Sequence, residues 1–359
     1  MTDINNEWEA FLNNNSEFTN NYDNCCIENT DNNLQKKRAS IPTCGELYIS
    51  TKTKIAYFNK PIDLFDIFWK LEIQDYHIPK EGIIKKQMKF SSSSPEELDV
   101  IKGFLAKEKI VDEHVIMQII NPNGRIKYKD TRKISIGLSK KDIISVRSKK
   151  KSAFYNCFVV IIRVLYKEIF KELHVKVFNT GKMEIPGIQD DSLLFKTLDI
   201  LCGIINKISP SNVVCVKDNI ETVLINSNFN CGFYIDRDRL FKILKYDYKI
   251  NCTYDPCSYP GIQCEFYYDK NTEKQDTEKP FYSNGGKINK TNKVSFMIFR
   301  TGSVLIVGKC TEIILKQIFE FIKTMLHNNY HEISIGIQDN NIKKTNPKPR
   351  RTKCIKLIK

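Results

Sequence analysis

The chain has 359 residues, 41% of them hydrophobic, which is more than one average domain and enough to bury a sizeable core. Its formal charge of +14 at pH 7 favours a polyanionic partner, either nucleic acid or an anionic membrane surface. There is no run of about 18 apolar residues, and the N-terminus is polar and acidic. We therefore expect no membrane span and no signal peptide, and a soluble intracellular protein.

Cysteine usage argues against a secreted disulfide scaffold. The twelve cysteines are spread along the chain without a secretion signal, so we expect reduced thiols. The nearest approach to a cluster is Cys252, Cys257 and Cys264, which has no CxxC pair and no histidine nearby. Buried free cysteine is the expected state, and we expect neither a metal nor a cofactor.

Residues 1–41 differ in composition from the residues that follow, where the first strand and helix are predicted. The first 41 residues are Asn-rich and acidic without apolar periodicity, which predicts a disordered tail. A strand is predicted from about Leu47, followed by a helix in IDLFDIFWKL that begins at Ile62. That helix matches a later segment, IDRDRLFKIL, which begins at Ile235.

This match aligns the first copy of an internal repeat with the second copy. One alternative alignment, or register, remains open. In the preferred register five helix positions agree, and residues of about 91–150 are an insertion. The insertion is predicted to hold a helix from Pro95 to Lys107 and a basic hairpin around Asn123-Gly124. The alternative pairs the tripeptide from Asn121 with the tripeptide from Asn226.

The clearest repeat is a strand, a tight turn at Thr-Gly, a second strand and a glycine before a long helix. The first copy reads HVKVFNTGKMEIPGI from His174, and the second reads SFMIFRTGSVLIVGK from Ser295. At a constant offset of 121, Phe178 matches Phe299, and Gly181 matches Gly302. Each copy therefore predicts a hairpin that leads into a helix.

Further elements extend the repeat in both directions. The long helices that begin at Asp190 and Thr311 carry one broad apolar stripe each, so each is predicted to cover one face of its sheet. Another strand precedes each hairpin and places Phe154 opposite Tyr259. A polar stretch between Lys270 and Lys290 predicts an inserted surface loop.

The C-terminal part of the chain is basic. Within residues 336–359, the stretch from Lys343 to Lys359 reads KKTNPKPRRTKCIKLIK. Such a run indicates a nucleic-acid arm, a localisation signal or a merely solubilising tail.

Two copies of this pattern, with VFNTGK and IFRTGS at the turns, resemble the TATA-box-binding protein family. Lys149-Lys150-Lys151-Ser-Ala-Phe154 and Tyr254-Asp-Pro-Cys-Ser-Tyr259-Pro260-Gly261 resemble that family's segments leading into phenylalanine-proline. The resemblance covers about two thirds of the chain, and the insertions are typical of homologues carried by large DNA viruses. It implies an α+β fold, a two-repeat saddle of curved antiparallel β-sheet with helices on the convex face. The first repeat would span 42–208 and the second 209–335.

The resemblance also implies a function: transcription initiation by binding and bending AT-rich DNA through the minor groove. Four aromatic side chains would act as two pairs of wedges that partly unstack a base step, Phe154 with Phe178 and Tyr259 with Phe299. Other expected DNA contacts are strand and turn residues, phosphate-binding cations and two asparagines: Thr180, Thr301, Leu305, Val307, Lys151, Lys176, Lys182, Arg300, Asn226 and Asn228. A turn role for the asparagines and a core role for the aromatics are the competing interpretations.

The sequence departs from the family at several of these positions. Tyr259 replaces a phenylalanine, Tyr155 replaces a proline, and Ser303 replaces a lysine that is present in the first copy as Lys182. Glu184 and Pro186 occupy strand positions that would face DNA, and an acid there weakens phosphate contact.

We expect no catalysis, because HExxH, P-loop, GxSxG and GxGxxG motifs are absent and His174 has no nucleophile pattern beside it. The expected partners are double-stranded AT-rich promoter DNA, RNA polymerase and a general transcription factor B-like protein, without a membrane. The alternative function is a protein-interaction scaffold that kept the saddle and lost DNA binding. The expected location is a viral replication compartment in the host cytoplasm, or the nucleus, with packaging in the virion as a further option.

Overall fold

A computed structural model describes residues 41–144, 154–209, 212–268 and 292–335. These residues form one unit that begins at Ile41 and contains a large antiparallel sheet with helices packed against it. The tails, the polar loop at about 270–290 and the basic run with Lys151 lie outside the described residues. The predicted α+β class is confirmed.

The first copy of the repeat contains five strands of its own and the two strands of the insertion. Its strands are β1 (Tyr48–Tyr57), β2 (Gly82–Ser92), β3 (Val111–Ile120), β4 (Tyr128–Gly137), β5 (Cys157–Tyr166), β6 (Ile169–Phe178) and β7 (Lys182–Ile188). Of these, β3 and β4 belong to the insertion, so five strands remain for the repeat itself. Its helices are α1 (Leu64–Lys70), α2 (Pro95–Leu105), α3 (Lys140–Ile144) and α4 (Asp191–Ile208).

The second copy repeats this order without the insertion. Its strands are β8 (Glu221–Asn230), β9 (Tyr234–Ile235), β10 (Asn251–Thr253), β11 (Ile262–Tyr268), β12 (Asn292–Ile298), β13 (Ser303–Gly308) and β14 (Ser334–Ile335). Its helices are α5 (Arg237–Lys242), a π-helical turn at Ile243–Asp247, α6 (Glu312–Asn328) and α7 (Tyr330–Ile333). The strands β9 and β14 form a separate two-stranded sheet.

The strand order is similar on the two sides of the sheet's central pair. The large sheet runs β10-β11-β12-β13-β8-β1-β7-β6-β5-β2-β4-β3, with every neighbouring pair antiparallel. The opening strands β8 and β1 pair with each other in the middle, and each copy extends outward from there in the same order. The insertion adds β4 and β3 to the outer edge of the first copy.

The helix starts agree with the register in which the two opening helices match. Asp63 accepts hydrogen bonds from the first amides of α1, and Asp236 does the same for α5, so the two helices begin at matching residues. Asn121 lies in the β3–β4 loop whereas Asn226 lies within β8, so the alternative register is wrong. The helix and the hairpin predicted inside the insertion are both observed.

The helices of both copies bury the same face of the sheet. Val160 of β5 and Met183 of β7 are fully buried in one cluster with the apolar side of α4. Val304 and Ile306 of β13 are likewise buried in a second cluster with α6. Each buried large aliphatic side chain contributes roughly 1.5–3 kcal/mol relative to exposure, so these clusters fix which face the helices cover.

Candidate nucleic-acid interface

The face of the sheet opposite these helices has an apolar and amide-bearing middle. Asn226 and Asn228 are half-buried and alternate with buried side chains along β8. In the neighbouring strand Leu305 lies opposite Asn228, and Val307 lies opposite Asn226. We call the face that carries these four residues the open face. It is the face on which the sequence placed the DNA contacts.

The two asparagines occupy mid-strand positions, so the competing turn role for them is wrong. The Asn228 side-chain amide donates a hydrogen bond of 2.8 Å to the Ser50 hydroxyl of the central neighbour β1. Thr51 of β1 lies opposite Asn226. Amide donors therefore lie beside the junction between the two copies.

In the first copy, the corresponding part of the open face is charged. Lys182, Glu184 and Pro186 are half-buried and alternate along β7 with Met183 and Ile185 of the core. The Lys176 ammonium group lies 2.7 Å from a Glu184 carboxylate oxygen across the β6–β7 pair. The acid that the sequence placed toward DNA is therefore neutralised by one of the predicted phosphate contacts.

The four predicted wedge residues lie at matching places in the two copies. Phe154 and Tyr259 each precede the first residue of a strand, β5 and β11, by three positions. Phe178 ends β6, and Phe299 directly follows β12. Phe154 is 41% exposed and the other three rings are half-buried, so these side chains are only partly covered by the protein.

The surroundings of the rings differ between the copies. In the second copy the Tyr259 and Phe299 rings form an edge-to-face pair with centroids 5.8 Å apart. In the first copy a lysine ammonium lies over each ring, with Lys176 at 4.7 Å from the Phe154 centroid and Lys182 at 5.6 Å from the Phe178 centroid. The first pair is therefore flanked by cations.

The substitution of tyrosine for phenylalanine at position 259 adds a hydroxyl that points inward. The Tyr259 hydroxyl donates to the Met297 sulfur at 3.6 Å, and burial raises the pKa of the phenol to about 12. The phenol therefore stays neutral at physiological pH, and the ring can act as an uncharged aromatic like the phenylalanine it replaces.

The Thr-Gly turns hold Phe178 and Phe299 next to the second strand of each hairpin. The amide of Gly181 donates to the Phe178 carbonyl at 2.9 Å, and the amide of Gly302 donates to the Phe299 carbonyl at 3.0 Å. Thr180 and Thr301 are exposed residues of these turns and not of a strand. The alternation of side chains along a strand therefore does not determine which way they face. Arg300 is also an exposed turn residue.

One part of the open face is covered by the insertion. The Lys85 ammonium group of β2 lies 2.8 Å from an Asp142 carboxylate oxygen, which anchors α3 over the outer strands of the first copy. His174 of β6 lies opposite Ile161 of β5 beneath this cover. Ile161 is only 1% exposed although it faces away from the helix-packed core. Ligands therefore have access to the wedge end of these strands rather than to the end near α3.

The cover of α3 lowers the pKa of the His174 imidazole. Burial, together with the nearby Lys141 and Lys85 charges, lowers the pKa of the imidazole to about 4 from 6.5. In the unfolded chain the imidazole binds a proton near pH 6.5 that the folded protein does not bind until about pH 4. Stability is therefore lost progressively as the pH falls from about 6.5 to about 4.

We expect urea denaturation to show this loss between pH 6.5 and 5, above the range in which ordinary carboxylates titrate. The free energy of unfolding should fall by up to about 1.4 kcal/mol for each pH unit, and His174→Gln should remove most of that slope. His327→Gln, on the exposed side of α6, is the control and should keep the slope. An unchanged slope in His174→Gln would show that another group carries it.

Sequence reasoning missed three open-face residues in the second copy. Glu265 of β11 lies opposite Ser295, and Lys293 approaches its carboxylate at 2.6 Å. Burial would raise the pKa of Glu265, but hydrogen bonds from Lys293 and Tyr267 outweigh it and lower the pKa. The Met297 sulfur accepts the hydrogen bond from the Tyr259 hydroxyl. Ile262 faces the core and Phe299 faces the open side. Alternation along β11 and β12 from these two residues would therefore have placed Glu265, Lys293 and Met297 on the open face.

Lys151 is the remaining predicted phosphate contact. Lys151 lies outside the described residues. Within the described ranges, no group of three histidine, cysteine or acidic side chains is arranged to hold a metal ion. None of the described helices is long and apolar enough to cross a membrane.

The open face can therefore meet a long, flat, anionic ligand in three ways. Its middle offers methyl groups and amides, its two ends offer partly exposed rings, and lysines lie beside the rings of the first copy. Amides can donate to adenine N3 and thymine O2, and rings can insert between base steps.

No family model matches the sequence. The chain is 24% identical over 311 residues to a TATA-box-binding protein-like protein of Acanthamoeba polyphaga mimivirus, and the match covers 80% of this chain and 78% of that protein. Among solved structures, it matches the TBP of Methanococcus jannaschii with a TM-score of 0.39 and 13% identity, covering 79% of this chain and 99% of the other. The resemblance predicted from the repeated motifs is confirmed by the mimivirus protein.

Proposed function

We propose that this chain, a divergent relative of the TATA-box-binding proteins, binds and bends AT-rich double-stranded DNA through the minor groove. The observation that carries the proposal is the placement of four aromatic residues at matching ends of the open face, on either side of Asn226, Asn228, Leu305 and Val307. Net charge supports a polyanionic ligand, since the chain carries +14.

The proposed docking mode follows from the shape of the minor groove. Its floor presents only acceptors at A·T pairs, whereas a G·C pair adds an amino group that would collide with apolar side chains. Methyl-bearing Leu305 and Val307 therefore favour A·T pairs, and the asparagine amides can donate to the acceptors. Rings at the two ends would each open a base step and kink the duplex.

A protein-interaction scaffold that has lost DNA binding is the second candidate, because Glu184 and Glu265 both lie on the open face. Each carboxylate has a lysine partner within 2.7 Å, which reduces its repulsion of phosphates. We therefore favour DNA binding, with recruitment of RNA polymerase and of a factor B-like protein as its proposed consequence. A viral replication compartment, the nucleus or the virion is the proposed setting.

Fluorescence bending assays on AT-rich and GC-rich duplexes at two salt concentrations test the proposal. The expected result is a tight, bent complex with AT-rich DNA that weakens as salt rises. A small AT-selective minor-groove ligand should displace the protein, whereas methylation in the major groove should have little effect. The docking mode would be contradicted if the minor-groove ligand did not displace the protein and methylation in the major groove abolished binding. Absence of any binding would favour the scaffold.

Glu184→Gln is expected to strengthen DNA binding several-fold. The change removes an acid from the open face and releases Lys176 from its 2.7 Å ion pair for a phosphate. The slope of log affinity against log salt should steepen by about 0.9 for one added phosphate contact. Titrations of a labelled duplex at several salt concentrations measure both quantities.

The matched control for this variant is Glu320→Gln, since Glu320 pairs with Lys323 at 3.3 Å on α6, away from the open face. It makes the same change in net charge and should leave the slope unaltered. Equal effects of the two variants would mean that Glu184 acts only through overall charge and does not face DNA.

A further inference from the structure

The insertion continues the open face beyond the first pair of wedge residues. Register along the outer strands places Lys89 of β2 opposite Lys133 of β4, and Lys133 opposite His114 of β3. Lys85 and Lys89 are on the same face of β2, and Lys86 between them is buried on the other. A row of cationic and imidazole side chains, formed by Lys89, Lys133 and His114, therefore crosses β2 and the added strands β4 and β3 on the same side as the proposed DNA contacts.

This row lies close to the first wedge pair. β2 and β4 run past the start of β5, because Ser92 still pairs with Asp130 whereas the pairing of β2 with β5 ends at Phe158. The Lys89 ammonium group lies 3.4 Å from the centroid of the Tyr155 ring, next to Phe154 in the chain. We call Lys89, Lys129 and Tyr155 the insertion cluster.

Electrostatics link the third member to the other two. Lys89 lowers the pKa of the exposed Tyr155 hydroxyl by hydrogen bonding and by its charge, and the charge of Lys129 adds to the effect. Lys129 lies two residues before Thr131 on the open-face side of β4, where it pairs with Ile119. Positive charge is thus concentrated around Tyr155, the chain neighbour of Phe154.

The second copy has no comparable surface among its described residues. Its outermost strand, β10, has three residues, and Asn251 in that strand hydrogen-bonds to the Glu265 carboxylate at 2.8 Å. Cations extend the open face at one end, and an acid lies near the other. Asp112 is the acidic residue of β3 on the open face of the insertion, one row away from Lys133.

We infer that the insertion cluster is a second DNA site, which binds phosphates of the duplex leaving the bent segment on the side of the first copy. The inference rests on the proposed function and adds to it. Beyond Phe154 and Phe178 the next surface of the same face is β2 with β4, so these strands are the part of the protein nearest to flanking duplex on this side. Phosphates are the complementary ligand for a lysine pair, and such contacts position DNA without reading its sequence.

An asymmetric contact of this kind has a consequence for orientation. The two copies present similar pairs of rings at the two ends of the open face, and the insertion cluster adds a contact at one end alone. A flanking contact at one end favours the orientation of the protein on DNA in which the longer flanking duplex lies beside the insertion cluster. The insertion cluster therefore orients the protein on DNA.

The test compares a short duplex that contains only the bent AT-rich core with one that extends it by about ten base pairs at each end, which is one helical turn. The variant Lys89→Gln with Lys129→Gln removes the two lysines of the cluster. The matched control is Lys207→Gln with Lys242→Gln, which removes two exposed lysines from α4 and α5. Thermal melting of all three proteins verifies that they fold alike.

The parent protein and the control should bind the extended duplex more tightly than the core, whereas the cluster variant should lose that gain. On the extended duplex, the salt slope of the variant should be shallower by about 1.8 for two lost phosphate contacts. Over a fourfold rise in salt, this corresponds to a difference of roughly tenfold in affinity loss. Hydroxyl-radical footprints should be shorter for the variant.

The outcomes separate this inference from the proposed function. If the parent bends the core duplex and the cluster variant gains from the flanks as the control does, the second site is wrong and the proposed function stands. If the parent binds neither duplex, both fail. Should the variant melt lower than the control, Lys129→Gln alone is used, because Lys129 lies near the start of β4 and its loss is expected to leave folding unchanged.

Discussion

The double variant Phe178→Ala with Phe299→Ala is expected to fold almost as well as the parent and to lose DNA bending. Both rings are half-buried at the ends of the open face, and neither belongs to the clusters beneath the helices. As wedges they open a base step at a cost of a few kcal/mol, which is offset by the extra contacts that bent DNA makes. Without them, affinity for AT-rich duplex should fall by roughly 100-fold.

Two phenylalanines elsewhere in the chain are matched controls for this variant. Phe296 is fully buried beneath α6, so Phe296→Ala should cost about 3 to 5 kcal/mol of stability. Phe195 is 36% exposed on α4, and Phe195→Ala should change neither melting nor bending. Thermal melting and fluorescence bending are measured on the same preparations. A double variant that melts like Phe296→Ala, and bends DNA normally where folded, would place Phe178 and Phe299 in the core.

The second large effect is expected from alanine at the glycines of the two Thr-Gly turns. Gly181 has a φ of +83° and Gly302 has a φ of +79°. Residues that carry a side chain rarely adopt this backbone conformation. A Cβ at Gly181 would lie 2.5 Å from the Lys60 carbonyl oxygen, and a Cβ at Gly302 would overlap the Phe233 carbonyl oxygen. Each single alanine variant should therefore lose roughly 2 to 5 kcal/mol of stability.

Gly203→Ala is the control for the glycine variants. Gly203 lies inside α4 with no heavy atom near the position of an added Cβ, so alanine should stabilise the protein by about 0.5 to 1 kcal/mol. Urea denaturation of the three variants measures the differences. Unchanged stability in Gly181→Ala and Gly302→Ala would contradict the turn geometry that holds Phe178 and Phe299 beside the second strand of each hairpin.

Local sequence patterns determined the repeated elements. Two helix caps at equivalent acids, two Thr-Gly turns at an offset of 121 and two apolar helix stripes are local features, because each depends on residues within a few positions of one another. Alternation likewise placed Leu305 and Val307 on one side of their strand, since neighbouring side chains of a strand point to opposite faces.

Only the tertiary structure decided which strands meet and which side chains become neighbours. Pairing of β1 with β8, which brings Asn226 beside Thr51, joins residues far apart in the chain, so no local pattern specifies it. The Lys176–Glu184 ion pair and the cover of α3 over His174 depend on that packing, as does the place of the insertion at one edge of the sheet. Side-chain periodicity selects a face, but partners across strands follow from how the whole sheet buries its apolar surface.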